Sequence, residues 1–515
     1  MENITTDTVM ATRLYRNRLL SDSHRPGYHF AIPDGNGTPG DPNGAFYADG
    51  RYHLMYLYAN EETGGFHWGH ISSIDLLHWR NHPDALTIED GDHGCFSGGA
   101  FVDDDGTAYL TFWKYDSKNP SVDNGGIALA FSKPPYNRWE RITPIAVSGS
   151  VDCWGAVDIE QNGRVMHVGC ADPSNIWKQN GYYYMQTGNK PVLDRYGRAA
   201  DSEETYKGDW TDLFRSTDLL HWEFVHRFYI NPHLGTDWPD ATEDDMCPSF
   251  LRLPDRRSNG QLTDKWLQLF ISHNKGAQYY IGSLQNETFF PEEHGRFSWK
   301  DNAFFAPEAL IDDKNRQIGW FWLQDNLEND FKRFAWSGIY GLPREFWYDK
   351  GLRMAPVSEL EHLQYNAQSF SVGQFHGCFP LSVKNGQSFR LQAEITPLNA
   401  RNIGFTVRSD ASSAEYTMLY VDIVKKQLIM DTTHSGCEGR MLCEAAPFSL
   451  ADGEKLFMDI FVDKSVIEIF ANERQAICRR VYPTNPDAAI GVSAVCDGAD
   501  YGIVHVWEMM PANPY

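Results

Sequence analysis

The chain has 515 residues, 42% hydrophobic and 22% charged, which excludes disordered and membrane-embedded classes and is too long for one ordinary core, so two domains are expected. A formal net charge of −24 argues against nucleic acid and anionic membranes as partners, because both attract basic patches. Aromatics at 14% suit the apolar faces of sugar rings, and equally the cores of β-rich proteins.

The start, Met1-Glu2-Asn3-Ile4-Thr5-Thr6-Asp7, is polar and acidic, and no later stretch is apolar for long enough to span a bilayer. A cytoplasmic location is expected, or a secreted one if a leader was trimmed away. Nine cysteines without a CxxC pair read as free thiols. His67 and His70 fall on opposite faces of a strand with no third ligand signalled, so neither a metal nor a cofactor is expected.

Residues 1 to about 30 read as a polar lead-in wrapped around the first domain. The first strand then opens on Gly40-Asp41-Pro42-Asn43-Gly44, an acid held by a proline and by an Asn-Gly pair suited to a tight turn, and it runs into a second strand across Asp49-Gly50. A pattern of short apolar strand, Asp/Asn/Gly turn and aromatic strands recurs five times. The first unit closes at Asp75-Leu76-Leu77-His78-Trp79 and the second starts at Phe96-Ser97-Gly98. The third starts at Ala171-Asp172-Pro173 and closes at Asp218-Leu219-Leu220-His221-Trp222, nearly a copy of the first closure. The fourth follows Glu243-Asp244-Asp245-Met246-Cys247-Pro248, and the fifth starts at Ala306-Pro307.

Five such units predict a five-bladed β-propeller over residues 1–350. In a propeller the innermost strands start near one end of the axis, so Asp41, Asp172 and the acids at 243–245 are expected to converge on one funnel. An acid before Pro or Gly is ordinarily a turn residue; three in equivalent places suit a glycosidase with a nucleophile, an acid/base and a helper. The loop from about 189 to 210, with Asp201, Glu203 and Glu204, borders the funnel or is a solvated acidic loop.

A connector over 351–365 has a helical look at Val357–Leu363, and alternating strands from 366 to 515 predict an antiparallel β-sandwich in a supporting role. The fold class is therefore all-β, a five-bladed β-propeller followed by a C-terminal antiparallel β-sandwich.

Asp41-Pro42-Asn43-Gly44, Phe96-Ser97-Gly98, Asp172-Pro173, Cys247-Pro248, Trp336-Ser337-Gly338 and Asp463-Lys464-Ser465-Val466-Ile467-Glu468-Ile469-Phe470, taken in order, resemble glycoside hydrolase family 32, the invertase, inulinase and levanase group. The resemblance implies this same two-domain fold and retaining hydrolysis of β-fructofuranosides. Asp41 would be the nucleophile, Asp172 would grip ring hydroxyls, and a glutamate would serve as acid/base. It also implies sugar contacts from Asn43, Trp68, Phe96, Ser97 and Asp244, and a small carbohydrate as partner.

Four positions depart from the family pattern: Gly40 for Asn, Leu57 for Gln, Ala171 for Arg, and Met246 for the catalytic Glu beside Cys247. A thioether has no proton to give, so the acid/base is expected from the acids just upstream, Glu243 first and Asp244 next. The alternatives are hydrolysis or transfer on another furanoside, such as an arabinofuranoside, and a sugar-binding protein without catalysis. Oligomeric state is not legible, and no basic cluster for a phosphate is evident near the motifs.

Overall fold

The computed structural model describes residues 6–32, 39–60, 62–89, 93–115, 126–142, 155–238, 244–324 and 336–513. The fold is a β-propeller followed by a β-sandwich. Blade one is built from Pro39–Ala48, Arg51–Asn60, Gly65–Ser73 and Arg80–Leu86. Blade two, joined to it through Gly94–Phe96, contains Ala100–Val102, Ala108–Tyr115, Gly126–Ser132 and Glu140–Ile142. Blade three runs from Trp177–Gln179 to Glu223–Ile230 and blade four from Met246–Pro254 to Thr288–Arg296, each as a four-stranded antiparallel meander. Blade five starts at Phe304–Ile311, and its edge is extended by Ala31–Ile32 from the N-terminal side.

Three local expectations are revised. The lead-in contains a helix, Thr6–Ser21, largely exposed and anchored through the buried Leu19; apolar residues scattered around its circumference hid it from periodicity. Asn43-Gly44 does not make a tight turn but sits in a strand whose register slips on both sides. Gly44 has φ +52°, and a Cβ there would stand 2.9 Å from Leu110 Cδ2, so a bulge and the neighbouring blade both require glycine. The repeated closures do not end blades one and three, each of which adds a fourth strand beyond it. In each closure the Asp accepts from two main-chain N–H groups and from the His two residues after its Leu (Asp75 with Leu77 and His78; Asp218 with Leu220 and His221). The repeat is thus an Asp-capped turn. Its middle leucines, Leu76 and Leu219, take φ values of 64° and 65°.

The connector is a short 3-10 helix, Ser358–Leu363. Two six-stranded antiparallel sheets follow, enclosing Phe389, Leu391, Phe405, Leu419, Ile460 and Val504 among others. The motif at 463–470 ties the two parts of the molecule together. Buried Asp463 accepts from the main-chain N–H of Gly27, Tyr28 and His29 at 2.7, 2.7 and 2.8 Å and lies 3.0 Å from His29 Nδ1. Buried Glu468 accepts from Leu342 N at 2.6 Å and from Arg344 Nη2 at 2.9 Å.

Candidate active site

A cavity of about 850 Å³ opens at the end of the propeller where the innermost strands begin, and Asp41, Asp172, Phe96, Ser97, Met246, Cys247 and His273 are among the residues that line it. Asp41 arrives on the bulged first strand of blade one. Its Oδ2 accepts from Ser97 Oγ at 2.6 Å and stands 3.7 Å from Cys247 Sγ. Asp172 arrives ahead of blade three, 3.4 Å from the same thiol. One sulfur therefore reaches both carboxyls, and residues 131 positions apart in sequence share a floor. Asp172 and Cys247 take φ values of 42° and 48°, a conformation that costs a residue bearing a Cβ and here aims both side chains into one space.

The electrostatics follow from the shared burial. Loss of solvent raises Asp41, and the Ser97 hydrogen bond opposes that rise. Burial, and then the charge of Asp41, raise Asp172 to about 7. Burial and both carboxyls keep the Cys247 thiol protonated, so it acts as a donor between them. A raised carboxyl binds its proton more tightly in the folded than in the unfolded chain. Asp172 therefore favours the fold below its unfolded value of about 4 and withdraws that support as pH rises through about 7. Asp172→Asn is expected to flatten the fall in melting temperature over that window and to melt about 2 °C above the wild type at pH 8. Thermal scans of both proteins across pH check this; an unchanged slope would refute it.

The other sequence-predicted residues divide. Phe96 and Ser97 are on the wall. Asn43 is buried beside Asp41, its amide engaging the Gly98 main chain, so it braces the strand that carries Asp41 instead of facing the cavity. Trp68 is fully buried between blades one and two and is not a sugar platform in this conformation. Asp244 lies behind the wall, accepting from Ser272 Oγ at 2.8 Å and His273 Nδ1 at 2.6 Å. Asp245 accepts from Tyr229 OH at 2.9 Å. Glu243 lies outside the described residues.

Sequence reasoning missed His273, whose signal is only an exposed histidine at the end of the strand Leu262–Ser272. It also missed Lys190, Asp194 and Arg195, which line the cavity from the segment after the second strand of blade three; Asp201, Glu203 and Glu204 are not among the lining residues. Lys190 and Arg198 both pair with Asp194. Two of the departures shape the wall, since Leu57 and Met246 line it, and a third, Ala171, is fully buried.

His70 meets a third histidine after all, with His53 Nδ1 2.9 Å from His70 Nε2 and His82 beside them. The rings of His70 and His82 stack at 4.3 Å and 19°, and both His82 nitrogens are already hydrogen-bonded, Nε2 with Ser72 Oγ at 2.6 Å and Nδ1 with Asn137 Oδ1 at 2.7 Å. Burial lowers His53 to about 3, as suits a neutral hydrogen-bonded core pair.

The glycosyl hydrolases family 32 N-terminal domain model matches residues 29–356 and the family's C-terminal model matches residues 358–508. The chain belongs to glycosyl hydrolase family 32. Its relatives include a sucrose-6-phosphate hydrolase of Zymomonas mobilis, 27% identical over 517 residues with 96% of this chain and 94% of that protein covered, and a raffinose invertase of Escherichia coli, 27% identical with 89% of each covered. Among solved structures, fructan 1-exohydrolase IIa from Cichorium intybus superposes with a TM-score of 0.78 at 19% identity, covering 96% of this chain and 98% of the other. As a family 32 glycosyl hydrolase the chain is an enzyme. No helix among the described residues is long and apolar enough to cross a membrane.

Proposed function

We propose that this family 32 enzyme removes terminal β-fructofuranosyl units from sucrose or short fructans by a retaining double displacement. The observation that carries the reading is the pair Asp41 and Asp172, one half-buried and one buried carboxyl reached by one thiol on the floor of a single cavity. Ser97 and Cys247 both approach Oδ2 of Asp41, which leaves Oδ1 as the oxygen to attack the anomeric carbon. The attack forms a glycosyl ester, and water later opens it with net retention. Asp172 is suited to hold ring hydroxyls and to face the positive charge that develops on the ring. By sequence position alone, the proton-transfer role falls to Glu243, the first of the acids at 243–245. The relatives, a sucrose-6-phosphate hydrolase and a raffinose invertase, agree with a small sugar as partner.

A second reading, another furanoside as substrate, is favoured by Leu57 and Met246, which present apolar surface where hydrogen bonding to a sugar would be expected. Release of reducing sugar from sucrose, sucrose-6-phosphate, raffinose, inulin, levan and nitrophenyl furanosides separates the two. Fructose release from the natural sugars is expected. Turnover of an arabinofuranoside alone would shift the specificity and keep the mechanism.

A further inference from the structure

Asp41 and Asp172 share the cavity floor, but the reaction also needs a group that can give up a proton to a leaving oxygen and take one back from water. Among the described lining residues, Met246 has no proton, and Lys190 and Asp194 are paired with each other. The thiol of Cys247 is held between the two carboxyls. The remaining titratable group of suitable chemistry is His273.

Its setting is that of a proton-transfer histidine. Met246 pairs with Ile271 across antiparallel strands, which places His273 two residues further along the same face as Ile271 and makes it a diagonal neighbour of Met246. Asp244, on the facing segment, is buried and clamps the imidazole through Nδ1 at 2.6 Å and the His273 main-chain N–H at 3.2 Å. Ser272 Oγ donates to the other oxygen of Asp244 at 2.8 Å. Burial alone would raise Asp244, but the bonds from His273 and Ser272 outweigh it and keep it a carboxylate. The ring edges against Phe305 at 5.9 Å, and its side chain is 44% exposed on the cavity side. With Nδ1 committed to Asp244, Nε2 is the nitrogen available to the cavity, and the dyad fixes which nitrogen carries the mobile proton.

We infer that His273, oriented by Asp244, is the acid/base catalyst of this cavity, the role sequence position offered to Glu243. The inference rests on the glycosidase reading above. In the first half-reaction the proton on Nε2 passes to the glycosidic oxygen as the bond from that oxygen to the anomeric carbon breaks, its electron pair leaving with the oxygen, while Asp41 forms the ester bond. In the second, neutral Nε2 takes a proton from water as the water oxygen bonds to the anomeric carbon, and the Asp41 carboxylate leaves with the electron pair of the ester bond. Asp244 is a positioning residue. The charged groups facing His273 are Asp244 across the strand pair, Asp41 from blade one and Asp172 from blade three.

The test compares full-length wild type, His273→Gln, Asp244→Asn and Glu243→Gln on two substrates, a poor leaving group (sucrose) and a good one (4-nitrophenyl β-fructofuranoside), with sodium azide as external nucleophile. For His273→Gln a loss of about 10²- to 10⁴-fold in kcat/KM is expected on sucrose. Less than tenfold should be lost on the nitrophenyl glycoside, with azide accelerating its turnover and giving the fructosyl azide with retention. Asp244→Asn should lower kcat on sucrose far more than on the nitrophenyl glycoside with KM little changed, because the imidazole is no longer aimed at the leaving oxygen; a merely structural role would lower both substrates equally. The inference is overturned if His273→Gln, melting as the wild type does, loses equally on both substrates or not at all. It is equally overturned if the leaving-group dependence and azide rescue belong to Glu243→Gln instead. If wild type turns over neither these nor any other furanoside, the hydrolase reading itself fails, and that outcome is distinguishable because it needs no variant.

Discussion

Asp41→Asn is expected to lower kcat/KM by about ten-thousand-fold or more on every substrate the wild type cleaves, whatever its leaving group. The substitution is isosteric, so the Ser97 hydroxyl keeps an acceptor in place of Asp41 Oδ2 at 2.6 Å, and the cavity keeps its shape. What disappears is the carboxylate assigned to form the ester: an amide nitrogen is a poor nucleophile toward an anomeric carbon, and neutral Asn no longer offsets charge developing on the ring. Steady-state rates read the loss, and mass spectrometry of quenched wild type should detect a glycosyl adduct on the peptide bearing Asp41. Activity of the variant within tenfold of wild type would sink the nucleophile assignment. The contrast with His273→Gln is informative, because a lost nucleophile is indifferent to the leaving group whereas a lost acid is not. Asp41→Asn also removes the carboxyl whose charge raises Asp172, so Asp172 should then titrate lower.

The second large effect lies far from the cavity. Glu468→Ala is expected to cost about 3–5 kcal/mol, the range for breaking a buried ion pair from one side, and to make the propeller and the sandwich unfold in separate steps. Glu468 is fully buried, bonds Arg344 Nη2 at 2.9 Å and stands 3.3 Å from His29 Nε2. Its removal leaves two cationic side chains in a dry interface. Burial by itself would lower His29, but its hydrogen bonds to Asp463 and Glu468 outweigh this and raise it to about 9. A raised histidine lends stability that is complete below its unfolded value of about 6.5 and is lost as pH rises through about 9. The wild type should therefore soften across that window, and Glu468→Ala, already lacking much of the pairing, should soften less. Denaturant curves at pH 6 and pH 9.5, read by calorimetry for the number of transitions, check both statements. A single transition with a cost below about 1 kcal/mol would show that the clamp is dispensable.

Much of this was legible from residues alone, and for identifiable reasons. Strand alternation and Asp/Asn/Gly turns are local, so the blades could be counted before any contact was known, and the Asp49-Gly50 turn sits where the dipeptide predicts, with φ values of 50° and 70°. The helix Thr6–Ser21 escaped because its burial depends on one leucine. The Asp75 and Asp218 turns were seen as repeats but misplaced by one strand, because a turn motif does not say how many strands follow it. Trp68 was expected on the sugar and is found in the core; alternation tells which face of a strand a residue is on, not which face becomes the cavity.

The chemistry of the site divides along the same line. Residues alone place Asp41 and Asp172 ahead of Pro42 and Pro173 at the openings of blades one and three, and show that Met246 carries no proton, since turns and functional groups are properties of neighbouring residues. Only the tertiary structure decided that one thiol reaches both acids, that Asn43 and Trp68 sit behind the wall, and that Asp244 spends its carboxylate on His273. Those outcomes depend on how the blades close around the axis and on the pairing of Met246 with Ile271. A shift of that register by one residue would turn His273 to the opposite face of the blade.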